Sequence, residues 1–220
     1  MLRALADRTS SFIGRKIIPS GGDRFRIGLS LRSFPYFHHA HNCGFPGKRK
    51  TERTIELALA DFWLDRVTDA VEVGAVTPYY WPGRVKHVID PADQSPHVTQ
   101  QASLLEVDFT GRNVLSISTV EHIGEQRYGM NETATPMQGL EKLFRECARY
   151  LVTFPAGYNQ TLDEFVFAGG ADKFGKVRYL VRNPDESWRS APRSLAWRAY
   201  GGDGITWANC VVVIEKGGVL

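Results

Sequence analysis

Three short β-branched runs constrain this chain more than any other feature: residues 69–78, 85–90 and 114–122. Each is rich in valine, leucine or isoleucine and ends in polar or small residues, which is how a fully buried parallel strand reads when it delivers functional groups at its carboxyl end. A fourth run, Leu151-Val-Thr-Phe154, follows a stretch of helical periodicity. Strand runs alternating with helices imply right-handed crossovers and an α/β fold built on a mostly parallel sheet.

In the first run Val71, Val73 and Val76 supply strand character, and Glu72 and Gly74 form an acidic-x-glycine pair followed by Ala75. Glycine at such a turn lets a ligand approach the backbone with no Cβ in the way. The second run closes on Asp90, sixteen positions after Gly74, near the ~20-residue offset at which an acidic residue reaches a ribose hydroxyl. Alone, the Glu72 and Gly74 pair reads equally well as a strand running into an ordinary turn. The pairing with Asp90 favours a ligand.

Around this skeleton the periodicity places a helix over residues 51–66, with Ile55, Leu59, Phe62 and Trp63 on one face. A second begins at Thr135-Pro136 and carries Met137, Leu140, Phe144 and Cys147 at helical spacing. A short strand is expected near 104–107. Two further strands, 176–182 and 208–215, are separated by a loop containing Trp188, Arg189, Arg193, Trp197 and Arg198. Residues 34–43, dense in aromatics and imidazoles, read as a loop lining a pocket. Their histidines and Cys43 match no closed metal site, and no metal is expected.

The 220 residues, 43% of them hydrophobic, suit one globular domain over 51–220, with 1–50 as an arm that covers the pocket. A net charge of +3, from 27 basic against 24 acidic residues, is too mild to argue for nucleic acid. Composition leaves a homo-oligomer open. Three cysteines without C-x-x-C spacing suggest neither a disulfide framework nor a zinc knuckle and suit a reducing cytoplasm. No apolar stretch reaches the ~20 residues that span a bilayer.

The runs Val71-Glu-Val-Gly-Ala-Val, Val88-Ile-Asp90, Ser116-Ile-Ser-Thr-Val-Glu-His-Ile-Gly124 and Leu151-Val-Thr-Phe-Pro-Ala-Gly-Tyr-Asn159 resemble class I S-adenosylmethionine-dependent methyltransferases. More narrowly, they resemble a divergent branch associated with bacterial surface-glycan gene clusters. The resemblance covers roughly residues 40–215, judged by motif order. It implies a Rossmann-like, mostly parallel sheet with helices on both faces and a carboxyl-terminal antiparallel strand pair. It also implies S-adenosylmethionine held by Glu72, Gly74, Ala75, Asp90, Ser118, Thr119 and Glu121. The acceptor, a small molecule or glycan, would meet His41, Asn42, Tyr158 and Asn159; an aromatic tract ending in His41 and Asn42 before Glu52 and Arg53 matches the branch's pattern.

His122 is the candidate base for a hydroxyl acceptor; the other reading is that Glu121 and His122 only shape the cofactor pocket. Family members carry further glycines where this chain has Ala75, Thr77 and Pro78. That departure admits a second function, a degenerate member that binds without catalysis. An adenine-nucleotide oxidoreductase is disfavoured because the turn lacks G-x-G-x-x-G.

Overall fold

A computed structural model describes residues 17–27, 33–39, 50–125, 133–201 and 207–220. The leading strands β1 (Ile17–Arg26) and β2 (Ser33–His39) pair antiparallel as a separate two-stranded sheet, with a register shift between Pro19 and Arg24. The shift falls on Pro19-Ser-Gly-Gly22, where proline withholds a donor and the glycines admit a bulge. The loop expected over 34–43 is therefore a strand as far as His39, because Phe34, Tyr36 and Phe37 are buried against the helix that follows.

That helix, α1 (Glu52–Leu64), leads into β3 (Ala70–Val73), β4 (His87–Ile89) and β5 (Asn113–Ile117). After these come α2 (Pro136–Glu146), β6 (Arg149–Pro155), α3 (Gln160–Phe167), β7 (Lys176–Arg182), β8 (Trp188–Ala191) and β9 (Cys210–Lys216). Strands β3 to β9 form one seven-stranded sheet in the order β4-β3-β5-β6-β9-β7-β8. The architecture is mixed α/β, with three α-helices among the described residues.

The sheet is mixed: β4-β3, β3-β5 and β5-β6 pair parallel, whereas β6-β9, β9-β7 and β7-β8 pair antiparallel, and β9 with β7 makes the expected carboxyl-terminal antiparallel pair. Strand β9 inserts between β6 and β7. Its core, Val211 to Ile214, is fully buried on both faces and so reads like a parallel strand in sequence, which hides its direction.

Helices lie on both faces. On one, Ile55, Leu59 and Trp63 of α1 pack over Leu115, Ile117, Leu151, Leu180 and Val213, and β1 and β2 close the layer. On the other, Leu140 and Leu143 of α2 and Leu162 and Val166 of α3 cover Val71, Val114, Val152 and Ile214.

Three local expectations change. Leu104–Glu106 is a 3-10 turn, not a strand. Ser103 and Glu106 form a reciprocal capping box there, with Glu106 Oε2 accepting from the Ser103 amide at 2.9 Å, and such a box favours a helical turn over extended chain. Trp188–Ala191, read as loop, is β8, anchored by the buried indole of Trp188, whose Nε1 donates to the Lys50 carbonyl at 2.6 Å. Helix α3 was not anticipated; Asn159 caps it by accepting from the Leu162 amide at 3.1 Å.

What matters for a site is the reversal of strand order. The chain steps outward from β3 to β4, then returns to the far side of β3 as β5. The carboxyl ends of β3 and β5 therefore flank a topological switch point, where open α/β sheets leave a crevice.

Candidate functional site

At the end of β3 the chain makes a tight turn in which Gly74 adopts φ 87° and its amide donates to the Ile89 carbonyl at 2.8 Å. A Cβ on Gly74 would lie 1.9 Å from Thr119 Oγ1, so the close approach that the glycine permits is made to Thr119. Glu72, with no exposed surface, faces into the same turn. Its Oε1 accepts from the amides of Val76 at 3.1 Å and Thr77 at 2.7 Å, and its Oε2 from the Thr77 hydroxyl. Glu72 thus holds the turn from beneath. Burial pushes its carboxyl up to about 7, against the pull of the Thr77 donors.

Asp90, at the end of β4, ties this turn to the next loop. Its Oδ2 accepts from the Ala75 amide at 3.0 Å, and its Oδ1 from the amides of Ala92 and Asp93, both at 2.8 Å. Three of a carboxylate's roughly four acceptor positions are filled this way. The side chain is half-buried. Glu72, Gly74, Ala75 and Asp90 therefore lie together at neighbouring strand ends.

After β5 the backbone of Ser118 takes φ 43°, an uncommon conformation for a residue with a Cβ. It is held there from two sides: the Ser118 amide donates to the Thr153 carbonyl at 2.8 Å, and its hydroxyl donates to Glu56 Oε1 at 2.8 Å. The kink turns the chain into the 3-10 segment Val120–His122. Thr119 is thereby brought over Gly74, and Glu121 is buried.

Beyond β6, Tyr158 meets His122 edge to face with ring centroids 4.8 Å apart, and Tyr200 meets Tyr158 at 5.5 Å. Asn159 Nδ2 donates to the Glu121 carbonyl at 2.8 Å, so the ends of β5 and β6 are joined. The sheet edge thus brings Ser118, Thr119, Glu121, His122, Tyr158 and Asn159 together. His41 and Asn42 lie outside the described residues. His122 stands between two carboxylates, its Nδ1 at 3.3 Å from Glu125 Oε2 and its Nε2 at 3.8 Å from Glu121 Oε1.

The sequence reading missed a buried polar cluster under this edge. Glu56 of α1 has no exposed surface, accepts from the hydroxyls of Ser118 and Thr153, each at 2.8 Å, and pairs with Arg53 at 3.5 Å. Burial raises the Glu121 carboxyl well above its ordinary value, and the Glu56 charge adds to this. Glu52 is pushed up to about 7, again by burial first and Glu56 second. Burial alone would lower Arg53, but Glu56, Tyr80, Glu52 and Glu121 outweigh it. One signal was available: Glu56 interrupts the apolar run from Ile55 to Ala60, and a carboxylate on a buried face needs partners.

Chemically, the edge offers one imidazole, two tyrosines, an amide and hydroxyls over a floor of carboxyls and one guanidinium. Among the described residues no group of histidine, cysteine or acidic side chains is arranged to hold a metal ion, and no helix is long and apolar enough to cross a membrane. Set against known proteins, the chain matches no family model and no curated sequence.

Proposed function

We propose that the carboxyl edge of the sheet takes S-adenosylmethionine and that the protein transfers its methyl group to a hydroxyl of a sugar or glycan-type acceptor. The observation that carries this reading is the gathering of Gly74, Ala75, Asp90 and Thr119 at the switch point between β3 and β5. The same reversal of strand order marks doubly wound nucleotide-binding sheets and supports a Rossmann-like identity. The antiparallel strands β9 and β7 agree with the family that the sequence resembles.

The residues present fit an adenosyl group in part. Asp90 keeps about one acceptor position for a ribose hydroxyl, and Ser118 and Thr119 border the same crevice. When bound, the cofactor supplies an electrophilic sulfonium methyl, which leaves the protein to align the acceptor and take up its proton. We assign the second task to His122. Glu125 facing Nδ1 orients the ring, while Tyr158 braces the imidazole from the side.

A second reading is a binding module that keeps the fold without catalysis. It is favoured by one observation: Thr119 already occupies the space beside Gly74, and the Ala75 amide is already committed to Asp90. Labelled S-adenosylmethionine with a panel of reducing and nucleotide-linked sugars separates the two. Methyl transfer by the wild type that falls about 100-fold in kcat in His122→Ala, with cofactor affinity kept, is the result expected of a general base. Equal losses of turnover and affinity would make His122 a pocket-shaping residue. Cofactor binding with no transfer to any acceptor would leave the module.

A further inference from the structure

The amino-terminal edge of β7 lies at the other end of the sheet. Strands β6 and β7 both run antiparallel to β9, so Lys176 opens β7 on the side opposite to Gly74 and Thr119. Strand β8 pairs with β7 only from Tyr179 onward, and beyond Ala191 the chain turns away through Pro192. A cavity of about 600 Å³ opens in the gap, within the size range of small-molecule sites.

Its walls are of two kinds. Ile27, Val177 and Leu220 supply apolar surface, whereas Lys176, Arg178 and Arg193 supply three cations; no acidic side chain is among the described residues that line it. The arginines are fixed. Arg178, 7% exposed, donates through Nη2 to the main-chain oxygen of Leu220 at 3.0 Å and sits 3.7 Å from the buried Glu215. Arg193 donates through Nε to the Tyr179 hydroxyl at 3.0 Å and pairs with Asp172 behind it. Glu215 and Asp172, outside the cavity, engage the two arginines, whereas the exposed Lys176 is in no ion pair among the described residues.

We propose that this cavity binds a small organic anion, with a carboxylate or phosphate head meeting Lys176 and Arg193 and an apolar body against Ile27, Val177 and Leu220. Anchored guanidinium groups lose little side-chain freedom on meeting such a head. A concave apolar wall with a few convergent polar groups is the usual form of a small-molecule site. The cavity is separate from the carboxyl-edge crevice and does not depend on what binds there.

The test is calorimetric titration of the intact chain with phenyl phosphate, 4-phenylbutyrate and the neutral 2-phenylethanol. Saturable binding of at least one anion, about tenfold or more tighter than the neutral probe and weakened by added salt, is the expected result. The preferred anion tells a phosphate head from a carboxylate head. Lys176→Gln with Arg193→Gln should weaken the anion about tenfold or more. Arg178 stays in place because its loss would strand the buried Glu215. No saturable binding of either anion, or equal binding of the neutral probe, overturns the proposal without any variant. An unchanged affinity in the folded double variant overturns it as well.

Discussion

Glu72 and Glu52 are both pushed by burial from an ordinary 4.5 up to about 7. The folded chain therefore keeps protons that the unfolded chain releases, and the stability this gives is complete below about pH 4.5 and lost as pH rises toward about 7. Each such group contributes a slope of about 1.4 kcal/mol per pH unit inside that window. Glu146, whose carboxyl Lys142 holds low, acts in the opposite sense and only below the window. Urea midpoints are thus expected to fall between about pH 5 and pH 7.5, and Glu72→Gln should flatten the slope. A variant as pH-dependent as the wild type would show that Glu72 does not titrate there.

Gly74 belongs to the same scale. Reading the sequence alone, a larger residue at Gly74 should only exclude a ligand. With φ 87° and Thr119 Oγ1 at 1.9 Å from a Cβ, the substitution collides with the protein itself. Gly74→Ala should cost about 2–4 kcal/mol, combining the left-handed backbone penalty with overpacking. Adding Thr119→Ala should return the collision part and leave the backbone part, which urea unfolding of the two variants would separate. If the second substitution restores nothing, the contact is not what requires glycine.

At the scale of elements, α1 is fastened to the sheet by a buried polar link as well as by its apolar face. Glu56 reaches the hydroxyls on β5's extension and on β6, so Glu56→Ala strands Arg53 and two hydroxyls and should destabilise by about 3 kcal/mol. Glu56→Gln keeps an acceptor oxygen and should cost about 1 kcal/mol. Equal losses, measured by denaturant unfolding, would mean that the link contributes only volume.

The elements also show what sequence can carry. β3, β5, β6, α1 and α2 were legible because burial on one stripe or on both faces leaves a periodic record, as in Ile55, Leu59 and Trp63. β8 was not: only Trp188 of its four residues is buried, too short a signal. The direction of β9 left no mark, since Val211 to Ile214 would look alike in either orientation. At the site, Glu72 and Asp90 were found by position, but their partners were not. A carboxylate's spacing in sequence does not say whether it faces a ligand or the amides of its own turn.

For the whole molecule, the sheet separates two chemistries at its opposite ends. The carboxyl edge gathers the strand ends of β3, β4, β5 and β6, an imidazole and buried carboxyls. The other end, at β7, holds the basic cavity. Calorimetric titration of the wild-type chain with S-adenosylmethionine and S-adenosylhomocysteine asks whether the first of these is an adenosyl site. Saturable one-to-one binding of both, each displacing the other, is the expected result. Absence of any heat or thermal shift with either ligand at millimolar concentration would contradict it, whatever the sheet's strand order.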